Sequence, residues 1–244
     1  MANKKTKKKR TRPSSAVPRV SARKLKEEGL SGPSGTRIRF AAPGEAGTVG
    51  DLLRAAVDDL EGGQVVQALA EGQCGTFLLD ALGGANLTSL LVRAATGGEL
   101  LGGAAAMSLP LVAQDRDGQL VGALLTVPSG TIAEMASRLP GDAPYDLVSM
   151  LKYTKIKALA VREDARGAGI GAALLKRCVQ IHWQLEYHMI FGEFETQRAL
   201  GPYYTRQGFT VLEPAETIDV GTVLAGFPMQ LGAQPDEALF YRWR

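Results

Sequence analysis

The residues best suited to chemistry form a glycine-rich turn, Arg166-Gly167-Ala168-Gly169-Ile170-Gly171, at the predicted start of a helix. Apolar residues then step by four, four, three and four positions, as in an amphipathic helix: Ile170, Leu174, Cys178, Ile181 and Leu185. The first N–H groups of a helix have no partner within it and lie at the positive end of its dipole. Glycines let an anion approach these donors, and Arg166 adds a cation. The turn therefore predicts a pyrophosphate-binding site.

A Rossmann-type dinucleotide site is one alternative interpretation of this turn. Gly167-x-Gly169-x-x-Ala172 formally matches the dinucleotide fingerprint. That fingerprint follows its strand almost directly, whereas five residues, four of them charged, separate Val161 from Gly167. A nicotinamide-binding enzyme and a purely structural helix cap are thus the weaker alternatives.

The hydrophobic pattern predicts the elements around the turn. Alternation predicts a half-buried strand at Arg37–Phe40, and Asp117-Gly118 between two apolar runs predicts a β-hairpin. Further strands are predicted at 156–161, 188–195 and 239–243, and helices within 52–60, 65–69, 87–95 and 132–139. The rest of the Ala-, Gly- and Leu-rich sequence between Leu79 and Met107 predicts no defined element.

Two motifs resemble the GCN5-related N-acetyltransferase (GNAT) superfamily. The turn at Arg166 fits the family's acetyl-CoA motif, R/Q-x-x-G-x-G/A, and Ala199 to Phe209 resembles its later signature, in which a Tyr stands four residues before Gly-Phe. The resemblance extends from about Thr36 to Arg244, although 62–109 is longer than the usual family core.

This resemblance implies an α/β fold with a GNAT-like mixed, mostly antiparallel sheet of six to seven strands, splayed at the centre and flanked by helices. It implies that residues 36–244 are an N-acetyltransferase domain. The domain would move an acetyl group from acetyl-CoA to the amine of a small molecule or a protein, by direct attack and without a metal.

The resemblance also assigns roles to individual residues. The backbone of Leu159, Ala160 and Val161 would pair with the pantetheine arm, and the Val161 N–H would polarise the thioester carbonyl. The pyrophosphate would be held by Arg166, Gly167, Ala168, Gly169, Ile170 and Gly171.

Tyr204 occupies the family's general-acid position, and its alternative role is that of a packed core tyrosine. Glu193 is the candidate general base, and Glu195, two residues along the same strand face, is the alternative. Both carboxylates would equally suit a pocket for a cationic acceptor. The preceding strand carries Lys155 and Lys157 rather than an acid, so no base is expected from it.

The N-terminal segment differs in composition from the rest of the chain. Residues 1–28 contain eleven Lys and Arg against Glu27 and Glu28, whereas the remaining residues hold 17 Lys and Arg against 23 Asp and Glu. Repulsion between like charges predicts that residues 1–35 are a disordered basic tail. Residues 1–28 would contact nucleic acid or another polyanion, or only aid solubility. The alternative function is therefore a non-catalytic acyl-CoA-binding module tethered by this tail.

The sequence also predicts a cytoplasmic protein. A signal peptide has an apolar segment after its basic start, and no such segment follows the basic start of this sequence. The longest uncharged central stretch, Leu100 to Ala113, is shorter than the roughly 20 apolar residues of a membrane span. Cys74 and Cys178 lie far apart, which indicates free thiols in a reducing compartment rather than a disulfide framework.

Overall fold

The computed structural model describes residues 19–57, 64–98 and 100–244. These residues form ten strands: β1 (Leu30–Ser31), β2 (Arg37–Phe40), β3 (Leu109–Gln114), β4 (Leu120–Val127), β5 (Tyr153–Val161), β6 (Met189–Glu195), β7 (Thr210–Val211), β8 (Thr217–Asp219), β9 (Gln230–Gly232) and β10 (Glu237–Trp243).

The helices of the described residues are α1 (Ala46–Arg54), α2 (Gln64–Ala70), α3 (Thr76–Leu82), α4 (Leu87–Thr96), α5 (Leu100–Ala106), α6 (Gly130–Ser137), α7 (Tyr145–Lys152), α8 (Ile170–Gln184), α9 (Gly201–Arg206) and α10 (Gly221–Ala225). A π-helical turn at Lys24–Glu28 and several 3-10 turns complete the regular structure.

Eight strands form the main sheet, in the order β1-β2-β3-β4-β5-β6-β10-β7, and β8 pairs with β9 in a separate ribbon. Neighbouring strands are antiparallel except for β5 and β6, which are parallel. The predicted mixed, mostly antiparallel sheet flanked by helices is confirmed. It has more strands than predicted because β1 and β7, of two residues each, carry too little sequence pattern to be recognised.

The central strands supply a core on each face of the sheet, because alternate residues of a strand point to opposite faces. In β3, Leu111 packs in the core that includes α8, and its neighbour Val112 packs in the core that includes α1 and α2. The predicted apolar stripe of α8 is confirmed for Ile170, Leu174, Cys178 and Ile181, which are all 3% exposed or less. This buried stripe fixes α8 on the sheet, and with it the turn that precedes the helix.

Residues 19–35 pack against the domain, so the prediction of disorder is wrong for this part of the predicted tail. Leu25 is fully buried, Leu30 pairs with Ile38 across β1 and β2, and Val20 and Gln184 exchange two hydrogen bonds of 2.8 Å. The prediction rested on charge composition, which gives little weight to these few apolar residues. The rest of the predicted tail, residues 1–18, lies outside the described residues.

Helices occupy the stretch between Leu79 and Met107 for which the sequence predicted little structure. Asn86 caps α4 by accepting a hydrogen bond from the Ser89 N–H at 2.8 Å. Leu78 and Leu91 are fully buried in the same core as α8. Glycines follow α3 and α4 directly, which keeps these helices short and without a long periodic pattern.

None of the helices within the described ranges has the length and apolar character that a membrane crossing would require. Cys74 and Cys178 are both buried free thiols, as the sequence predicted. Burial raises the pKa of the Cys74 thiol to about 12, so this thiol stays protonated at neutral pH.

Buried His182 predicts a pH dependence of folding stability. It is fully buried, its Nδ1 donates to the Cys178 carbonyl at 2.9 Å, and burial lowers its pKa to about 4. The folded state therefore favours neutral histidine, and stability is lost as pH falls from the unfolded pKa near 6.5 toward 4. We expect this residue to remove about 2 kcal/mol of unfolding free energy between pH 7 and pH 5.

Urea unfolding of the wild type and of His182→Gln at both pH values measures this effect. His188, whose pKa is also lowered, chiefly by burial, remains in both proteins. The difference between the two proteins therefore isolates His182. An equal loss of stability in both would contradict the assignment.

Candidate active site

The centre of the sheet opens where β5 and β6 separate. The two parallel strands pair at four positions, from Tyr153 with Met189 to Ile156 with Gly192, and then diverge. On its other edge β5 stays paired with β4 as far as Val161. The register between β4 and β5 skips Lys157, which is a β-bulge located directly after the last β5–β6 pair. Because of the bulge and the divergence, the second half of β5 has no strand paired along the edge that faces β6. We call this the open edge of β5.

The open edge of β5 presents backbone groups to the gap. The Arg162 N–H donates to the Val121 carbonyl of β4. Because N–H groups alternate in direction along a strand, those of Leu159 and Val161 point to the opposite, open edge. The Val161 carbonyl on that edge accepts from Arg166 Nε at 3.2 Å. The structure thus places Leu159, Ala160 and Val161 along the gap, with two of the three N–H groups facing it.

The glycine-rich turn caps α8 at one end of this edge. Gly167 and Gly169 have φ of +77° and +79°, a left-handed conformation that favours glycine. The backbone N–H groups of residues 167–172 donate to no protein acceptor in the described structure. Arg166 is exposed beside them. Free donors, a helix N-terminus and a cation therefore converge at the position predicted for a pyrophosphate.

Two adjoining cavities follow the gap. The first, of about 620 Å³, is lined by Val161, the turn, and α9, and we call it the nucleotide cavity. The second, of about 260 Å³, lies between diverging β5 and β6, and we call it the acceptor cavity. Leu159, Leu200 and Tyr204 line both. The two cavities therefore meet at Tyr204, and one extended ligand can run from the turn to the sheet opening.

Tyr204 lies at this junction in an apolar setting. Its ring stacks on Phe240 with centroids 3.6 Å apart and packs against Phe194. Burial, and to a smaller extent Tyr203, raises its pKa well above the usual value. Among the described residues, the Tyr204 hydroxyl has no hydrogen-bond partner. Every fully buried side-chain oxygen of these residues does have a partner, so the Tyr204 hydroxyl is not fully buried. The hydroxyl is therefore reached from the cavities, as a protonated phenol at neutral pH.

The structure brings Glu193 and Glu195 to the acceptor cavity together with Tyr204. Glu193 accepts a hydrogen bond from Lys155 Nζ at 2.6 Å, and its side chain is 18% exposed. Glu195 is bound by Gln197 and Arg198, and these hydrogen bonds lower its pKa. One oxygen of Glu193 bonds Lys155 Nζ, whereas both oxygens of Glu195 interact with neighbouring side chains.

Several residues that shape these cavities are not predicted from the sequence. Leu200, Tyr203 and Gln207 line the nucleotide cavity from α9 and its ends. The spacing of Leu200, Tyr203 and Gln207 by three and four residues is the one signal that could have found them. Arg198 donates to the Ala56 carbonyl at 2.8 Å and so joins the end of α1 to the β6–α9 connection. That contact bridges 142 positions and leaves no local pattern.

The residues that match a known family cover most of this site. Residues 108–211 match the model of the acetyltransferase (GNAT) domain. This part of the chain, under half of its 244 residues, resembles a GNAT acetyltransferase domain. The match spans β3 to β7, and so includes β5, the turn, α8, β6 and Tyr204 of the GNAT domain. The resemblance to this family is therefore confirmed. A comparison with curated proteins gives no match.

Solved structures similar to the GNAT domain include an acetyltransferase of the GNAT family from Staphylococcus aureus Mu50. It is 11% identical, with a TM-score of 0.48, over 85% of this chain and 98% of that one. A GNAT family acetyltransferase from Elizabethkingia anophelis with acetyl-CoA bound is 16% identical, with a TM-score of 0.44, over 86% and 99%. The Escherichia coli GNAT family protein YhbS in complex with CoA is 20% identical, with a TM-score of 0.43, over 74% and 72%.

No three His, Cys, Asp or Glu side chains within residues 19–57, 64–98 and 100–244 lie close enough together to hold a metal ion. Lys155, which the sequence analysis set aside as a non-acid, instead contacts the candidate base Glu193. The site in the described structure is therefore organised around backbone donors, one tyrosine and paired charges.

Proposed function

We propose that the protein transfers an acetyl group from acetyl-CoA to an amine by direct attack. One observation supports this most strongly: the gap between β5 and β6 joins the donor-rich turn to Tyr204 through two adjoining cavities. The pyrophosphate of the co-substrate would bind residues 166–171, and its pantetheine arm would lie along the open edge of β5. The family match supports acetyl transfer as the class of reaction.

In the proposed reaction the neutral amine attacks the thioester carbonyl within the acceptor cavity. A C–N bond forms as the C–S bond breaks, and the Val161 N–H stabilises the oxyanion in between. Tyr204, which is protonated at neutral pH, donates its proton to the departing CoA thiolate. Glu193 accepts the proton that the amine loses, directly or through water.

Calorimetric titration of the full chain with acetyl-CoA, and separately with NADH, tests the co-substrate. We expect micromolar binding of acetyl-CoA, equivalent to about −8 kcal/mol, and no heat with NADH. An acceptor screen that detects the free CoA thiol then tests turnover. A folded protein that ignores acetyl-CoA would overturn the proposal, and NADH binding would favour a Rossmann-type site instead.

Replacement of Glu193 with Gln tests the assignment of the base. We expect kcat to fall about a hundredfold with little change in acetyl-CoA affinity, because the amide keeps the shape and the contact with Lys155 but cannot accept the proton. Glu195→Gln is the matched control, and less than a tenfold loss is expected from it. Similar rates for wild type and Glu193→Gln would remove Glu193 from the mechanism.

A non-catalytic acyl-CoA-binding module is the second candidate. It is favoured by Glu193 and Glu195 of the acceptor cavity, each of which already bonds a cation. The two candidates differ in whether CoA thiol is released from acetyl-CoA in the presence of an amine. Release supports the acetyltransferase, and binding without release supports the non-catalytic module. The acceptor's identity and the cytoplasmic location stay predictions.

A further inference from the structure

The outer end of the acceptor cavity carries a carboxylate that has no role in the reaction as proposed so far. Glu237 is the first residue of β10, is partly buried and lines this cavity, but not the nucleotide cavity. The turn before it, residues 234–236, is exposed. Glu237 therefore lies at the solvent side of the acceptor cavity, and an acceptor that enters from solvent passes it.

The pairing of β6 with β10 fixes the position of Glu237 relative to the candidate base. Glu237 is directly opposite Glu195, and Leu239 is directly opposite Glu193. Residues two apart on a strand point to the same face, so the three glutamates share one face of the sheet. Glu193 and Glu237 are then diagonal neighbours, and residues in such a pair lie roughly 7–8 Å apart. Carboxylates at this separation can contact two nitrogen atoms of one small molecule.

Glu237 differs from the other two glutamates because no cation of the described structure is bonded to it. Lys155 Nζ bonds Glu193 at 2.6 Å, and Arg198 Nε bonds Glu195 at 3.2 Å. None of the ion pairs of the described residues includes Glu237. The cavity thus has one carboxylate whose charge the surrounding described side chains do not pair.

The cations that line the cavity are engaged elsewhere. Arg198 bonds Glu195 and donates to the Ala56 carbonyl at 2.8 Å. Lys157, on β5, has a partner of its own. Like charges directly opposite on paired strands are destabilising, so the position of Glu237 beside Glu195 is unfavourable without a ligand. A cation supplied by the acceptor would relieve this repulsion and gain affinity from it.

The size and the walls of the acceptor cavity favour a small acceptor with an apolar middle. Its volume is about 260 Å³, which is below the range of about 300–1,000 Å³ that is usual for drug-sized ligands. Val57, Ile156 and Ala158 add apolar surface to the charged side chains. A short methylene chain fits such walls, with a nitrogen atom at each end for the two carboxylates.

We propose that the acceptor is a short aliphatic diamine and that Glu237 selects it by binding its second nitrogen. This inference rests on the proposed acetyl transfer and names its acceptor class. The first nitrogen, as a neutral amine near Glu193, takes the acetyl group. The second nitrogen stays protonated, donates to Glu237 and leaves unacetylated. A monoamine of the same length leaves Glu237 unpaired and therefore binds more weakly.

Initial rates of CoA thiol release with cadaverine and with pentylamine test this proposal, because the two amines share one carbon chain and differ in the second nitrogen. We expect kcat/KM of the wild type to be roughly tenfold higher for cadaverine, as for one hydrogen bond to a charged group. The difference should lie mainly in KM, since the second nitrogen is remote from the reacting carbonyl.

Glu237→Gln should reduce the preference for cadaverine over pentylamine roughly tenfold. Asp236→Asn is the matched control, because it removes the same charge from the adjacent, exposed residue, which does not line the cavity. The backbone carbonyl of Asp236, which accepts from the Thr196 hydroxyl at 3.0 Å, is kept. We expect this control to have the wild-type preference. An equal reduction in both variants would show a general effect of charge and overturn the role of Glu237.

Calorimetric titration of the full chain with each amine, without acetyl-CoA, makes the same comparison independently of turnover. Tighter binding of cadaverine by the wild type, lost in Glu237→Gln, supports the diamine site even if no thiol is released, in which case acetyl transfer is what fails. Thiol release with equal kcat/KM for both amines would overturn the diamine proposal and leave acetyl transfer standing. A preference that is unchanged in Glu237→Gln would also contradict the assignment.

Discussion

Tyr204→Phe should lower kcat by about a hundredfold or more and leave acetyl-CoA affinity within about twofold. The ring contacts with Phe240 and Phe194 do not involve the hydroxyl, so the substitution keeps the packing. What is lost is the proton for the departing thiolate. Steady-state release of CoA thiol gives kcat, and calorimetry gives the affinity.

Tyr203→Phe provides the matched control for this experiment. It makes the same chemical change one residue away, at a tyrosine that lines the nucleotide cavity but not the acceptor cavity. We expect kcat within fivefold of the wild type, with any effect in the KM for acetyl-CoA. If the two variants lose kcat equally, the hydroxyl of Tyr204 has no special role as an acid.

Gly169→Asp should weaken acetyl-CoA binding by a hundredfold or more. The residue caps α8 with φ of +79°, so any side chain introduces backbone strain of about 1–2 kcal/mol. The carboxylate would also lie among the free N–H donors of residues 167–172 and repel a pyrophosphate. Calorimetric titration with acetyl-CoA measures the loss.

Gly226→Asp separates strain from charge at the site. Gly226 also caps a helix in the left-handed conformation, with φ of +76°, but at the C-terminus of α10 and away from the turn. The variant should lose a similar amount of stability and keep wild-type affinity for acetyl-CoA. Equal weakening in both variants would mean that global destabilisation, and not the turn, controls binding.

The sequence predicted those parts of the fold and the candidate site that depend on local pattern. The stripe of α8 and the glycines before it are set by residues within a few positions of each other, and the structure has both. The strand Arg37–Phe40 and the hairpin at Asp117-Gly118 are local in the same way. Helical and strand periods act over such short ranges and can be read without tertiary context.

Contacts between distant segments could not be predicted in this way. The pair of Lys155 with Glu193 spans 38 positions and depends on the register of two parallel strands. The closure of the site by Arg198 on Ala56 depends on where α1 ends in space. Residues 19–35 were misassigned for a related reason, since charge dominates their composition while three apolar side chains decide their position.

The N-terminal boundary of the domain has a practical consequence for truncation. A protein shortened to begin at Thr36 would lose Val20, Leu25 and Leu30, each at most 6% exposed, and with them on the order of 5 kcal/mol of hydrophobic stabilisation. That loss is comparable to the whole stability of a marginal domain. It would also uncover the edge of β2, whose free N–H and C=O groups invite pairing between chains. Residues 1–18 are thus joined to the domain through a stretch of chain whose removal we expect to promote aggregation.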